Sequence, residues 1–237
     1  MKKIKIAHLY YDLMNLYGEN GNVLCLKKYL ENQNINVTID YLTKDDKIDF
    51  TNYDIFYIGS GNDESFLITL DDLKKYKKEL ETAIKNKFFI VTGNALNLFG
   101  KTYYSKNKEI ELLNILNYSV KENKKRLVGE QLYKCDLINS EIIGFENRST
   151  YLVNNNESHL FESIKGFGNR KNEKNEGILK NNFYGTYLLG PLLVRNPYFT
   201  SYIVKKICNI NGIKFKEVYN DFEIKAYENY KTLINQK

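Results

Sequence analysis

The chain of 237 residues holds two prolines, two histidines and three cysteines, and it has no long apolar run. Each scarcity excludes something. So few prolines beside a 43% apolar share argue against collagen-like and disordered classes. Cys25, Cys135 and Cys208 are odd in number and far apart, which excludes a disulfide framework and a zinc motif. With His8 and His159 the only histidines, a His-rich metal centre is excluded too, and neither a metal nor a cofactor is expected. A membrane helix needs about 20 predominantly apolar residues, which no segment supplies. The basic N-terminal stretch is interrupted by Lys5, His8 and Asp12 too early for a secretion signal. The expected location is therefore cytoplasmic, with no transmembrane segment.

What is present is lysine, tyrosine and an alternation of apolar runs. The densest basic runs, Lys74-Lys75-Tyr76-Lys77-Lys78 and Lys121 to Arg126, fall on a helix face and in a loop. Elsewhere lysines alternate with glutamates and asparagines, so the net charge of +6 reads as solubility and no nucleic-acid partner is expected.

A single domain over residues 1–237 is expected, because a chain of this length can bury one large core. Ile4 to Leu9 reads as a buried strand, followed by a turn at Gly18 to Asn22 and a helix from about 22 to 33. Strands at Val37 to Leu42 and Asp54 to Gly59 come next. A long amphipathic helix carrying Leu67, Leu70, Leu73, Tyr76, Leu80 and Ile84 then leads to a strand at Phe88 to Thr92. Beyond Gly100 the texture shifts to short β-like runs at 115–120, 126–133, 141–145, 150–153 and 177–189. Lys165 to Asn175 reads as an exposed loop, and helices return at 199–208 and about 215–234.

Strands alternating with helices point to an α/β class: a doubly wound, mostly parallel sheet flanked by helices. Sites in such sheets lie beyond the carboxyl ends of the strands. The loops Tyr10 to Asn22 and Gly59 to Glu64, with the turn at Gly93, meet that requirement. The segment Phe88 to Gly100 has the form of a nucleophile elbow, a strand turning sharply into a helix whose first N–H groups face the same point. Its central residue, Gly93, has no side chain to offer.

With these segments in place the chain resembles the class I glutamine amidotransferases of the cobyric acid synthase type, which have a flavodoxin-like fold. Among them it is most similar to the amidotransferase subunits of lipid II isoglutaminyl synthase. The resemblance covers about residues 4–209 and rests on ordered motifs: His8 to Gly18 with Gly21-Asn22; Gly59-Ser60-Gly61-Asn62-Asp63; Leu98-Phe99-Gly100-Lys101; Arg126-Leu127-Val128-Gly129; Gly144-Phe145-Glu146-Asn147; and Gly185 to Leu193 with Asn196-Pro197.

The resemblance implies a subunit that hydrolyses glutamine and passes ammonia to a Mur-ligase-like, ATP-dependent partner, the two forming a heterodimer that amidates a peptidoglycan precursor. The family's elbow cysteine falls on Gly93 and its histidine on Leu189. A one-position slip would put Thr92 or Asn94 at the nucleophile, but Leu98, Gly100 and Lys101 hold the register. No catalytic residue is then intact, and the chain is expected to lack glutaminase activity of its own. The family's glutamine-pocket motifs are also altered, at Ser60 and Asn62 and again across Asn94 to Asn97; Ser60, Gly61, Asn62, Asn94 and Asn97 stand as the substrate-binding candidates with Arg126.

Arg126 has a plain reading, a strand-edge charge, beside the motif reading, a bidentate grip on a carboxylate such as that of glutamine. Two other functions stay open. One is a regulatory or ligand-binding module that keeps the fold outside the ligase pathway. The other is an enzyme with a relocated nucleophile, Ser60 or Thr92, for which neither His8 nor His159 stands in a motif that supplies a base.

Overall fold

The computed structural model describes residues 2–106 and 108–236. In chain order the elements are β1 (Lys3–Leu9), α1 (Asn20–Glu31), β2 (Asn36–Leu42), β3 (Ile55–Ile58), α2 (Asp63–Lys74), α3 (Lys77–Asn86), β4 (Phe88–Thr92), α4 (Ala95–Leu98), β5 (Thr102–Ser105) and β6 (Lys108–Glu111). There follow β7 (Ser119–Lys134), β8 (Ile142–Val153), β9 (Phe161–Lys165), β10 (Asn175–Glu176), β11 (Ile178–Lys180), β12 (Phe183–Thr186), α5 (Leu192–Arg195), α6 (Pro197–Ile210) and α7 (Asp221–Gln236).

The first sheet runs β11-β12-β4-β3-β1-β2 and is parallel except for β11. Its central strands β3 and β4 are buried at every position, as strands covered on both faces must be. Successive side chains alternate between two cores. Ile4, Ile6, Ile55, Tyr57 and Ile90 pack with Val23, Leu26 and Leu30 of α1 and Ile203 and Ile207 of α6. Leu9, Phe56, Ile58, Phe89 and Val91 pack on the other face with Leu70 and Leu73 of α2 and Leu80 and Ile84 of α3.

A second sheet runs β10-β9-β7-β5-β6, with β8 paired to β7. The short runs expected between 115 and 153 merge there into two long strands, β7 and β8, whose polar stretches are paired across the hairpin, whereas the run expected at 177–189 supplies β11 and β12 of the first sheet. The register of β7 against β8 shifts between Glu122 and Leu127, so Asn123 to Arg126 bulge out opposite Ser149 alone.

Other boundaries differ from the sequence expectation. The single long helix is broken into α2 and α3 at Lys75 and Tyr76, where i to i+3 bonds to Asp72 and Leu73 close the first helix. The last helix begins at Asp221, not near 215. The segment after Lys165 is partly internal: Gly168 and Asn169 are buried. Among the described residues no helix is long and apolar enough to cross a membrane.

Candidate functional site

At the carboxyl ends of the first sheet, where the second sheet folds over them, lies a cleft of about 260 Å³. The loop after β3 supplies Ser60, Gly61 and Asn62, the elbow after β4 supplies Gly93, Asn94 and Asn97, and Leu189 follows β12. The second sheet adds Arg126, Asn147, Arg148 and Thr150. Thus Arg126, Ser60, Gly61, Asn62, Asn94 and Asn97, with the elbow residue Gly93 and with Leu189, all line one space.

The elbow has the expected geometry. Gly93 follows the last residue of β4, its N–H donates to the Thr186 carbonyl at 2.8 Å, and its φ is +61°. That left-handed conformation costs a residue with a Cβ about 1 to 3 kcal/mol and a glycine little. Space forbids a side chain there as well. An ideal Cβ on Gly93 would overlap Ser60 Oγ and stand 2.8 Å from Leu189 Cδ2. Leu189 is itself held by its N–H to the Phe145 carbonyl, 2.8 Å, and is buried. The positions that the resemblance assigns to nucleophile and histidine are therefore neighbours, the first closed by the Ser60 hydroxyl and the second occupied by an apolar side chain.

The N–H groups around the elbow are spoken for. The Asn94 N–H donates to Ser60 Oγ at 3.3 Å, the Gly61 N–H to Asn94 Oδ1 at 3.0 Å, and Asn94 Nδ2 to the Gly61 carbonyl at 2.8 Å. Asn62 caps α2, its Oδ1 accepting from the Ser65 N–H at 2.8 Å. Asn97 is buried, donating to Thr150 Oγ1 at 3.0 Å and accepting from the Tyr187 hydroxyl at 2.8 Å.

Arg126 differs from these. It leaves the β7 bulge as an exposed side chain and donates through Nε to Asn147 Oδ1, 2.9 Å, and through Nη2 to the Asn147 carbonyl, 3.1 Å. Arg126 also lines the cleft, a cation at the rim able to meet a carboxylate.

Beneath the elbow lies a buried network that sequence reasoning missed. Both oxygens of the Glu19 carboxylate accept from the Ser60 N–H, at 3.0 and 2.8 Å. Thr92 Oγ1 donates to Glu19 at 2.9 Å and so must accept from the Tyr57 hydroxyl, 2.7 Å away, which in turn accepts from Asn22 Nδ2 at 2.9 Å. Burial pushes the Glu19 carboxyl above its ordinary range, opposed by the Ser60 N–H and the Thr92 hydroxyl. Thr92 is thus a buried strut, outside the cleft lining.

A second network also went unread. Arg148 pairs with Glu146 at 2.7 Å, both buried, and its guanidinium lies 4.1 Å from the centre of the Tyr187 ring. Its other donors reach the carbonyls of Thr150 and Asn169, at 2.7 and 3.0 Å, and of Gly168. Glu176 accepts from the Thr186 hydroxyl and from the Tyr187 N–H, the latter at 2.7 Å, and burial with Glu146 nearby pushes it up to about 8. The one signal available was spacing: Glu146, Arg148 and Thr150 share with Gly144 and Leu152 the buried face of β8.

Neither histidine joins the cleft. His8 is enclosed in β1 among the rings of Tyr11, Tyr41 and Tyr57, and burial lowers it to about 4. The cysteines are elsewhere as well, and burial pushes Cys25 up to about 12 and Cys135 up to about 11, so neither is a ready thiolate. Among the described residues no group of His, Cys, Asp and Glu is arranged to hold a metal ion.

Residues 5–197 match the family model for the CobB/CobQ-like glutamine amidotransferase domain. The chain is 34% identical over 232 residues to the lipid II isoglutaminyl synthase (glutamine-hydrolyzing) subunit GatD of Staphylococcus aureus (strain N315), covering 95% of this chain and 94% of that protein. It is 31% identical to the subunit of the same name from Streptococcus pneumoniae (strain ATCC BAA-255 / R6), covering 95% and 86%. A crystal structure of a glutamine amidotransferase superposes with a TM-score of 0.55 at 12% identity, over 84% of this chain and 97% of that one, a likeness of fold alone. The sheet order, the elbow after β4 and this match lead to one conclusion: the chain belongs to the CobB/CobQ-like glutamine amidotransferase family.

Proposed function

We propose that this chain is the amidotransferase-like subunit of a lipid II isoglutaminyl synthase-type complex in the cytoplasm. It binds a Mur-ligase-like, ATP-dependent partner as a heterodimer and takes part in peptidoglycan precursor amidation without hydrolysing glutamine itself. Two lines support this reading: similarity over nearly the whole chain to GatD subunits, and an elbow whose centre is Gly93 against Leu189. The second line carries the silence. Acyl transfer from glutamine needs a thiolate, a base to activate it and free donors for the oxyanion. The first two are absent here and the donors at the elbow are already bonded.

The cleft survives the loss of chemistry. With Arg126 at its rim it is suited to a small carboxylate, glutamine included, held without turnover. Ammonia for the ligase then comes from solution or from another source.

The test is co-purification with the Mur-ligase-like partner encoded in the same cell, followed by paired assays of the complex. The expected result is amidated precursor from ammonium and no glutamate released from glutamine above background. Glutamate release by the purified complex would overturn the proposed silence. Failure to co-purify would favour a regulatory module outside the ligase pathway.

A further inference from the structure

The loop after β3 closes directly over Gly93, with Ser60 against the elbow and bonded to the Asn94 N–H. We infer that Ser60 and Asn94 form a built-in lock that occupies the elbow's anion-binding donors, with Ser60 the positioning residue that keeps position 93 closed to any side chain. This rests on the reading above only for naming the reaction that was lost. The lock itself stands on geometry.

Ser60 is buried and fixed from behind, because its own N–H is held by both oxygens of Glu19. Held there, its hydroxyl fills the point from which a nucleophile would spring: the ideal Cβ of residue 93 overlaps Ser60 Oγ and lies 3.0 Å from Ser60 Cβ. The same hydroxyl accepts the Asn94 N–H, the first donor after the elbow. The Asn94 carboxamide then turns across the gap and satisfies both backbone groups of Gly61. The N–H groups of residues 60, 61 and 94 are all consumed internally.

An oxyanion hole works because its donors are preorganised and unpaired until charge develops. Paired donors must first be released, so each bond in this lock works against tetrahedral geometry at the elbow. The lock also ties the loop after β3 to the elbow, which steadies the start of α2 and the wall of the cleft. Arg126, on the other sheet, takes no part in it.

The test uses the full chain alone, so its outcome is independent of partner and of any amidation assay. Gly93→Cys is compared with Gly93→Cys/Ser60→Gly by iodoacetamide alkylation, read by mass spectrometry on the peptide bearing residue 93. The expected result is labelling at least about tenfold faster in the double variant, with Cys135 and Cys208 protected in it. Unfolding of the single variant alone, with its native cysteines labelled, supports the lock equally. A single variant as stable and as reactive at residue 93 as the double overturns it. If neither variant folds, hydrogen exchange at the Asn94 amide decides the matter: it should quicken about tenfold in Ser60→Ala relative to the unaltered chain. Equal exchange rates overturn the proposal.

Discussion

Arg148 and Glu146 pair at 2.7 Å with side chains 3% and 0% exposed, two residues apart on the buried face of β8. A charge so enclosed is tolerable only while its partners are in place. Removing the guanidinium leaves Glu146 with the Glu176 carboxyl nearby and no cation between them. Arg148→Met is expected to destabilise the fold by about 3–5 kcal/mol, read as a fall in the urea midpoint at unchanged slope. Replacing Arg148 and Glu146 together by apolar residues should cost less than the single change.

Glu176 should make stability fall as pH rises from the acid range to about 8. Its folded value, about 8, lies above the ordinary carboxyl value of 4.5, and burial is the main cause. A raised acid contributes stability that is fully present below the unfolded value and is lost as pH rises through the folded one. Thermal midpoints should therefore decline between about pH 4.5 and pH 8, and Glu176→Gln should flatten that decline. A decline unchanged in the variant would remove Glu176 as its source.

His8 acts in the opposite direction. Burial lowers it from 6.5 to about 4, against a smaller opposing contribution from the Asn20 side chain. Its contribution is present above the unfolded value and is lost as pH falls through the folded one. His8→Phe, which suits the surrounding tyrosine rings, should shift the acid limb of the stability profile to lower pH.

Arg126 should matter for ligand and little for the fold, because its side chain is exposed and bonded only to Asn147. Arg126→Ala is expected to weaken glutamine binding, measured by titration calorimetry on the full chain, by about 1.5–3 kcal/mol, the range for a hydrogen bond to a charged group. Arg126→Lys should restore only part of it, since an ammonium lacks the fork that grips both carboxylate oxygens. Glutamine binding unchanged in both variants would return Arg126 to an ordinary surface charge.

Restoring the lost pair should not restore activity. Gly93→Cys is opposed by a φ of +61° and by Ser60. Leu189→His puts an imidazole at a buried position, where its charged form is disfavoured. The double variant is expected to release no glutamate above background in a coupled glutamate dehydrogenase assay, and to melt lower than either parent.

How much of this could be read before folding differs from element to element. β3 and β4 announced themselves as continuous apolar runs because both their faces are covered, and α1 by its stripe of Val23, Leu26 and Leu30. The break at Lys75 and Tyr76 had no such signal. No glycine or proline marks it, and it coincides with Tyr76 turning onto Phe50, ring centres 6.0 Å apart. The sequence of β8 looks like separate pieces because Glu146 and Arg148 interrupt its apolar pattern, although both are buried and paired with each other.

The linear order of motifs was enough to bring Gly93 and Leu189 to notice, since a blank at a motif position is a local fact. It also led to the family, because turn glycines and strand runs are written in short windows of sequence. Only the tertiary structure decided that Ser60 stands where a side chain on residue 93 would begin, that Asn94 spends its carboxamide on Gly61, and that Glu19 anchors the loop from beneath. The physical reason is range. Glu19, Ser60 and Asn94 lie on separate loops, and a polar residue carries no mark of the distant partner that will satisfy it once both are withdrawn from water.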